Sequence, residues 1–146
     1  MSFYPVVVQT TVDLERAFSI RKTVFVAEQN VPLDEEIDEF DVLDGRCTHL
    51  LMSNEDDEAV GTGRVRLVGE YGKLQRVAVL KPYRSFGIGR MIITALERIA
   101  AERGATKTKL DAQVHAIGFY EKLGYVVSSD VFLDAGIEHV LMVKTL

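Results

Sequence analysis

The most informative segment of this 146-residue sequence is Gln75-Arg76-Val77-Ala78-Val79-Leu80-Lys81-Pro82-Tyr83-Arg84-Ser85-Phe86-Gly87-Ile88-Gly89-Arg90. The apolar run that ends at Val79 predicts a strand, and the chain then turns through Pro82 into the start of a long helix. The first turn of a helix has unpaired N–H groups and a partial positive charge, and Gly87 and Gly89 carry no side chains that would keep an anion away from them. The segment therefore predicts a strand–loop–helix unit that binds a pyrophosphate through its backbone.

The spacing of the two glycines argues against other phosphate-binding loops. The pattern Arg84-x-x-Gly87-x-Gly89 differs from the dinucleotide-binding fingerprint, and no acidic residue ends a second parallel strand where a ribose would need it. No Gly-Lys-Ser or Gly-Lys-Thr sequence follows the glycines, so this is not a Walker loop. Because two glycines at a helix start also occur in ordinary loops, the segment alone leaves the ligand open.

The rest of the sequence predicts a single domain over residues 1–146, without repeats or flexible linkers. Apolar residues at helical spacing predict a helix that Asp13 caps and that ends near residues 28–30, a helix over residues 88–100 that Gly104 stops, and a short helix over residues 115–123. Strands are predicted at residues 4–9, 48–53, 59–68, 73–79, 108–112, 125–131 and 139–144. This order predicts an α/β fold with a mixed sheet of about seven strands, built from antiparallel meanders around one βαβ crossover, with helices on both faces.

Composition indicates a protein that works in the cytoplasm. The chain is 47% hydrophobic, yet its apolar runs are much shorter than the ~18 residues of a membrane helix, and its start lacks the features of a secretory signal. Cys47 is the one cysteine, so an internal disulfide is impossible, as expected in a reducing compartment. We expect Cys47 to be a small core residue.

The charge distribution argues against nucleic acid as a partner. The formal net charge is −5, whereas nucleic-acid binding depends on clustered lysines and arginines. Acidic residues crowd into one stretch: Asp34, Glu35, Glu36, Asp38, Glu39, Asp41 and Asp44. Two interpretations stay open, a solvated loop and a negative rim that attracts a cationic amine.

Two motifs resemble the GNAT superfamily of N-acetyltransferases. The Arg84-x-x-Gly87-x-Gly89 element after the strand Val77-Ala78-Val79 is similar to the family's motif A, Q/R-x-x-G-x-G/A. One strand and one helix later, the sequence QVHAIGFYEKLGY, which begins at Gln113, resembles the family segment N-x-x-A-I-x-F-Y-E-x-L-G-F. The order of elements agrees over nearly the whole chain. Residues 21–29, the acidic stretch and residues 136–142 further resemble a largely unassigned bacterial branch.

The resemblance implies the GNAT fold and acetyl-CoA or coenzyme A as co-substrate, without a metal. It implies that the strand carrying Val77, Ala78 and Val79 diverges from its neighbour and pairs with the pantetheine arm, and that the amide of Val77 or Ala78 polarises the thioester carbonyl. It further implies that Tyr120 protonates the departing thiolate and that the Gln113 side chain holds the cofactor or bridges water. Ile117 and Phe119 are expected in the core. The residues expected to wrap the pyrophosphate are Arg84, Ser85, Phe86, Gly87, Ile88, Gly89 and Arg90.

The general base is where this sequence departs from the family pattern. Lys73 and Gln75 occupy strand positions where relatives carry a base, and Thr108 stands where another branch has its glutamate. Deprotonation through water and an acceptor that arrives neutral are further alternatives. The candidates that remain are Glu28, Asp111, His49, His115 and His139.

The sequence leaves three functions open. The first is an acyltransferase whose acceptor is a small-molecule or peptide amine, with a cation favoured by the acidic stretch. The second is an acyl-CoA sensor or interaction module without catalysis, which the missing base favours. The third is a nucleotide-phosphate binder of another α/β fold. No membrane partner is expected, and a homodimer is expected only because dimers are the commonest soluble assembly.

Overall fold

The computed structural model describes residues 2–146, whose strands form one mixed sheet. The strands are β1 (Phe3–Val7), β2 (Thr48–Asn54), β3 (Ala59–Val68), β4 (Tyr71–Val79), β5 (Lys107–Gln113), β6 (Val126–Val127), β7 (Phe132–Asp134) and β8 (Ile137–Thr145). The helices are α1 (Thr11–Arg21), which continues as a π-helical segment (Lys22–Glu28), α2 (Leu33–Glu36), α3 (Ile88–Glu102) and α4 (Ile117–Lys122). Short 3₁₀ turns, Lys81–Tyr83 and Val114–Ala116, precede α3 and α4.

The sheet has the order β1-β2-β3-β4-β5-β8-β6, and β7 also pairs with β8. Every pairing is antiparallel except that of β4 with β5, which α3 connects as a crossover. The prediction of a mixed sheet with antiparallel meanders around one βαβ unit is therefore confirmed. Among residues 2–146, no helix combines the length and apolar character that a bilayer crossing requires.

Helices cover both faces of the sheet because β2 alternates its side chains between two apolar clusters. Leu50 and Met52 pack with α3, whereas Leu51 packs with α1 and the π-helical segment. Cys47 is buried, as predicted, and burial raises the pKa of its thiol to about 11. The thiol is therefore protonated and inert at neutral pH.

Helix α3 lies very close to the sheet where it crosses β4. A Cβ atom on Gly72 would lie 2.5 Å from the Cβ of Ala100, a distance that two carbon atoms cannot share. Glycine at this position lets the helix approach the strand that leads into the β4–loop–α3 unit.

The N-terminal elements differ from the prediction in two details. The apolar character of residues 4–9 would suit a buried strand, but β1 is a partly exposed edge strand that pairs only with β2. Its Pro5 lacks the N–H group that a central strand would need. The cap of α1 is Thr10 and not Asp13, because Thr10 Oγ1 accepts a hydrogen bond of 3.2 Å from the Asp13 N–H group.

The C-terminal region has one more strand than predicted. Of the expected strand at residues 125–131, only the two residues of β6 pair with the sheet, and Tyr125 packs in the core. The additional strand is β7, which forms a hairpin with β8. The hairpin turn is Ala135-Gly136, with positive φ angles at both residues (52° and 76°). Ala-Gly is an unusual sequence for a turn with two positive φ angles, so little in the local sequence indicates the hairpin.

The acidic stretch is only in part the solvated loop or negative rim that its sequence suggests. Glu36 and Asp41 are buried, and Asp38 is only partly exposed, because three arginines bind these carboxylates. Solvated loop and negative rim are both wrong for these three residues. The other four acidic residues, Asp34, Glu35, Glu39 and Asp44, are exposed.

Candidate active site

β4 and β5 are neighbours for three residue pairs and then separate. Their parallel pairing runs from Tyr71 opposite Lys107 to Lys73 opposite Lys109. Beyond Lys73, β4 keeps its register with β3 up to Val79, while β5 keeps its register with β8. One edge of β4 over residues 74–79 therefore has no neighbouring strand, and its backbone polar groups face an opening in the sheet.

The opening forms a cleft of about 500 Å³, a size typical of ligand pockets. Residues from β4, β5, the π-helical segment, α4 and the β7–β8 hairpin line it. The structure thus brings together residues that lie far apart in the sequence. The predicted site residues that line the cleft are Val77, Ala78, Val79, Arg84, Gln113 and Tyr120.

A β-bulge lies in the free part of β4. Thr62 and Arg64 of β3 are opposite Ala78 and Gln75, so β4 has one extra residue between them. Arg76 has a φ angle of 58°, in the left-handed region that arginine seldom adopts. The bulge reverses the alternation of side chains, which places Val77 and Val79 on the α3 face and Ala78 on the α1 face.

The loop between β4 and α3 has a run of unpaired amides. Within residues 2–146, no N–H group of residues 85–90 donates to a protein acceptor, and the first hydrogen bond at the start of α3 joins the Met91 N–H group to the Gly87 carbonyl. Ser85 and Gly87 have φ angles of 96° and 75°. The unpaired amides belong to Ser85, Phe86, Gly87, Ile88, Gly89 and Arg90.

These six residues adjoin the cleft but do not line it. The Ile88 side chain is buried in the core, so only its backbone can contact a ligand. A Cβ atom on Gly89 would lie 3.4 Å from the ring of Phe119, which does line the cleft. Phe119 is 41% exposed, so its expected place in the core is wrong, whereas Ile117 packs against the core as predicted.

Arg84 connects the loop to two other elements. Its Nε atom donates a hydrogen bond of 2.8 Å to the Val79 carbonyl, and its Nη2 atom lies 3.0 Å from Glu28 Oε2. The guanidinium is thus engaged with the protein at one end of the cleft. It fixes the end of β4 against the π-helical segment.

Tyr120 presents an unbonded hydroxyl beside the cleft. Its ring packs edge-on against Phe119 and Tyr125, with centroid distances of 5.0 Å and 6.0 Å. The hydroxyl makes no hydrogen bond within residues 2–146, and burial raises the pKa of Tyr120 to about 12. The group therefore holds its proton at neutral pH and can donate it.

Gln113 ends β5 and lies between two other polar side chains. Its Nε2 atom donates to Gln29 Oε1 at 2.9 Å, and its Oε1 atom lies 2.7 Å from His115 Nε2. All three residues line the cleft. The amide is held in one orientation, with the carbonyl oxygen towards His115.

Sequence comparison now places this geometry in a family. A sequence model described as an acetyltransferase (GNAT) domain matches residues 21–146. The chain belongs to the GNAT acetyltransferase family.

Relatives and solved structures agree with this assignment. A Bacillus subtilis protein whose name assigns it provisionally to the acetyltransferases is 54% identical over 132 residues, which are 90% of this chain and 89% of the relative. A Lactobacillus plantarum structure with a provisional N-acetyltransferase description has a TM-score of 0.91 at 28% identity, and covers 100% of this chain and 99% of that one. The PaiA N-acetyltransferase of Thermoplasma acidophilum, solved in complex with coenzyme A, shares the fold, with a TM-score of 0.77 at 17% identity and full coverage of both chains.

The chain is thus a GNAT N-acetyltransferase. Its candidate general bases lie in different parts of the structure. Asp111 and His139 line the cleft, as does His115, whereas His49 is buried elsewhere against the Phe40 carbonyl, and burial lowers its pKa. Glu28 is outside the lining and ion-paired with Arg84. The cleft therefore lacks two of the candidate bases, His49 and Glu28. It also lacks Thr108, which is fully buried and bonds the Tyr125 hydroxyl.

Sequence reasoning missed the ion-pair network behind the cleft. Its members are Arg21, Arg64, Arg76, Glu36, Asp38 and Asp41, and Glu36 and Arg76 also line the cleft of this GNAT domain. Arg64 additionally donates to Gln75 Oε1 at 3.1 Å, so Gln75 is occupied as well. A signal existed in the sequence, because Arg64 lies between Gly63 and Val65 inside a predicted strand, where a buried charge needs a partner.

The free charges in the GNAT cleft are negative. Arg76 and Arg84 are both ion-paired. Glu35, Asp111 and Asp134 line the cleft, and within residues 2–146 their carboxylates have neither an ion pair nor a hydrogen bond. The cleft therefore has a negative potential, although most of it comes from residues outside the acidic stretch.

Proposed function

We propose that this chain transfers an acetyl or similar short acyl group from acetyl-CoA to an amine acceptor by direct attack. The main support for the proposal is the separation of β4 from β5. It leaves an unpaired strand edge along a cleft that Tyr120 lines and that the amide-rich loop adjoins. A binder without catalysis would need the first two features, but it would have no use for an unbonded tyrosine hydroxyl.

The residues present fit coenzyme A. The free edge of β4 at Val77, Ala78 and Val79 offers backbone groups to an amide-containing arm, in the manner of strand addition. The amides of residues 85–90, at the N-terminus of a 15-residue helix, fit a pyrophosphate. When bound, acetyl-CoA supplies a thioester whose carbonyl carbon an amine can attack. Arg90 is exposed beside this loop and adds positive charge.

Two groups of the chain act on the reacting bond in this proposal. The amide of Val77 or Ala78, at the bulge of β4, donates to the carbonyl oxygen on which negative charge develops. Tyr120 donates its hydroxyl proton to the departing sulfur. Burial supports the second role, because a phenol with a pKa of about 12 is fully protonated at neutral pH.

We propose a small cationic amine as the acceptor. Glu35, Asp111 and Asp134 are the uncompensated charges of the cleft, and they favour a positive ligand over a neutral or negative one. Asp111 lies on β5 on the same face as Gln113, and both residues line the cleft. Replacement of Asp111 by Asn should raise KM for a diamine about fivefold, the equivalent of about 1 kcal/mol for a partly exposed ion pair. The effect should shrink with added salt.

The deciding experiment pairs calorimetry with an acceptor screen. The protein should bind coenzyme A and acetyl-CoA, and should release thiol from acetyl-CoA only when an amine from a panel of polyamines, aminoglycosides and peptides is added. Absence of coenzyme A binding would overturn the whole proposal. Binding without turnover on any amine would favour the sensor, and stronger protection by ATP or NAD would favour a different nucleotide.

A further inference from the structure

His139 is held in one orientation in the lining of the cleft. It lies on β8 directly opposite Gln113 of β5, and the two residues share one face of the sheet. Its ring stacks on Phe132 of β7 with a centroid distance of 5.9 Å and an interplanar angle of 20°. The β7–β8 hairpin, which the sequence did not predict, thus carries a histidine into the cavity that Tyr120 lines.

The hydrogen bonding of this ring fixes its tautomer. His139 Nδ1 lies 2.7 Å from the carbonyl oxygen of Ile137. A carbonyl oxygen can only accept, so Nδ1 carries the proton. In the neutral ring the lone pair is then on Nε2.

The Nε2 atom of His139, a residue that lines the cleft, has no hydrogen-bond partner within residues 2–146. This atom is not fully buried. The fully buried side-chain atoms without a hydrogen-bond partner within residues 2–146 are three others, Thr48 Oγ1, Arg64 Nε and Arg66 Nε. The lone pair on Nε2 is therefore unbonded and not fully buried, in a residue that lines the cleft.

The other histidines lack this combination. His115 is exposed, and its Nε2 atom is bonded to Gln113 Oε1, which accepts. His49 is bonded to the Phe40 carbonyl outside the cleft. Of the three histidines, only His139 combines burial and a stacked ring with an unbonded ring nitrogen in a residue that lines the cleft.

We infer that His139 is the general base of the transfer, with Nε2 accepting the proton that the acceptor amine loses. The assignment rests on the proposed function. The acceptor nitrogen forms a bond to the acyl carbon, and the carbon–sulfur bond breaks. An ammonium acceptor carries three protons and the amide product keeps one. Of the two protons released, one goes to His139 Nε2 and then to water, and the other replaces the proton that Tyr120 gives to the sulfur.

Charged side chains of both signs line the cleft that contains His139. His115 is the other histidine in the lining, and the lining arginine Arg76 is ion-paired with Glu36 at 3.3 Å. The acidic residues that line the same cleft are Asp111 of β5, Asp134 of β7, and Glu35 and Glu36 of α2.

The first test reads the tautomer without any substrate. In a long-range ¹H–¹⁵N spectrum of histidine-labelled protein at high pH, the neutral His139 ring should show a protonated Nδ1 and a bare Nε2. An Nε2-protonated ring would overturn the proposal, because that nitrogen could not accept a proton.

The second test uses His139→Asn, whose side-chain N–H can still donate to the Ile137 carbonyl. With acetyl-CoA and spermidine or 1,4-diaminobutane, kcat should fall about 100-fold or more, and the acid limb of the kcat–pH profile should disappear. Coenzyme A affinity by calorimetry should stay within twofold. Added imidazole should restore part of the rate in His139→Gly.

The outcomes separate this inference from the proposed function. If wild-type protein does not bind coenzyme A, the proposed function fails. If it turns over amines and His139→Asn keeps the acid limb while His115→Asn loses it, only the assignment of the base is wrong.

Discussion

Arg21 Nη1 lies 2.6 Å from Asp41 Oδ1, and both side chains are sealed from solvent. Asp41 Oδ1 also accepts from Arg64 Nη1 at 2.8 Å, so one carboxylate bridges arginines from α1 and β3. Arg76 extends the network to the β4 bulge through a contact of 3.3 Å with Glu36 Oε1. The network therefore holds the acidic stretch against the strand whose backbone forms one side of the cleft.

Replacing Asp41 with Asn should be strongly destabilising. The substitution leaves two buried guanidinium groups short of one negative charge, and loss of one partner from a buried ion pair costs about 3–5 kcal/mol. The free energy of unfolding in urea measures the loss. Asp44→Asn is the matched control, since Asp44 is exposed where it pairs with Arg46, and its denaturation midpoint should not change measurably. Equal effects of the two changes would contradict the role of the network.

The network should also make the protein sensitive to acid. Burial alone would raise the pKa of Asp41, but hydrogen bonds from Arg21 and the Asp38 amide, with the charges of Arg21 and Arg64, lower it from 3.8 to about 2. A carboxyl group whose pKa is depressed by folding stabilises the native state above its unfolded pKa and loses that contribution as the pH falls. The free energy of unfolding should therefore decline between about pH 4 and pH 2. Asp41→Asn should show a shallower decline over the same interval.

This network marks the limit of what the sequence can predict about the site. The loop at Gly87 and the helix at Tyr120 are local patterns, and the structure places both beside one cleft. The partners of Arg21 lie 15 and 20 residues away, and no local period links a guanidinium in a helix to carboxylates in an irregular segment. Charge counting alone therefore predicts Glu36 and Asp41 to be solvated, although folding buries them.

In the fold as well, the elements with a local sequence pattern are predicted, and the element that depends on a distant pairing is not. Period-two and period-3.6 patterns predict β2, β3, β4 and α3 with small errors at their ends, because each of these elements buries an amphipathic or apolar surface. β7 is a three-residue strand with exposed Leu133, so it lacks such a pattern. Its existence depends on pairing with β8, so the placement of His139 against Phe132 could not be foreseen either.

Gly72→Ala should destabilise the protein by about 1–3 kcal/mol, because the new methyl group would overlap Ala100 and push α3 away from β4. Gly118→Ala is the matched control. Gly118 lies in α4, is exposed, and has no atom within 4 Å of the position that an alanine methyl group would take, so alanine should be neutral or stabilising by up to about 1 kcal/mol. Thermal or urea unfolding distinguishes the two. A neutral Gly72→Ala would show that the close approach of α3 is not required.

Tyr120→Phe should separate catalysis from binding. The substitution keeps the ring that packs between Phe119 and Tyr125 and removes only the hydroxyl, which makes no hydrogen bond within residues 2–146. Folding should therefore be unaffected, and coenzyme A affinity by calorimetry should change less than twofold. Without a proton donor, the sulfur must leave as an unprotonated thiolate, so kcat should fall about 100-fold, while KM for the amine changes little. A variant that binds coenzyme A poorly yet turns over normally at saturation would instead assign Tyr120 to the binding of the cofactor.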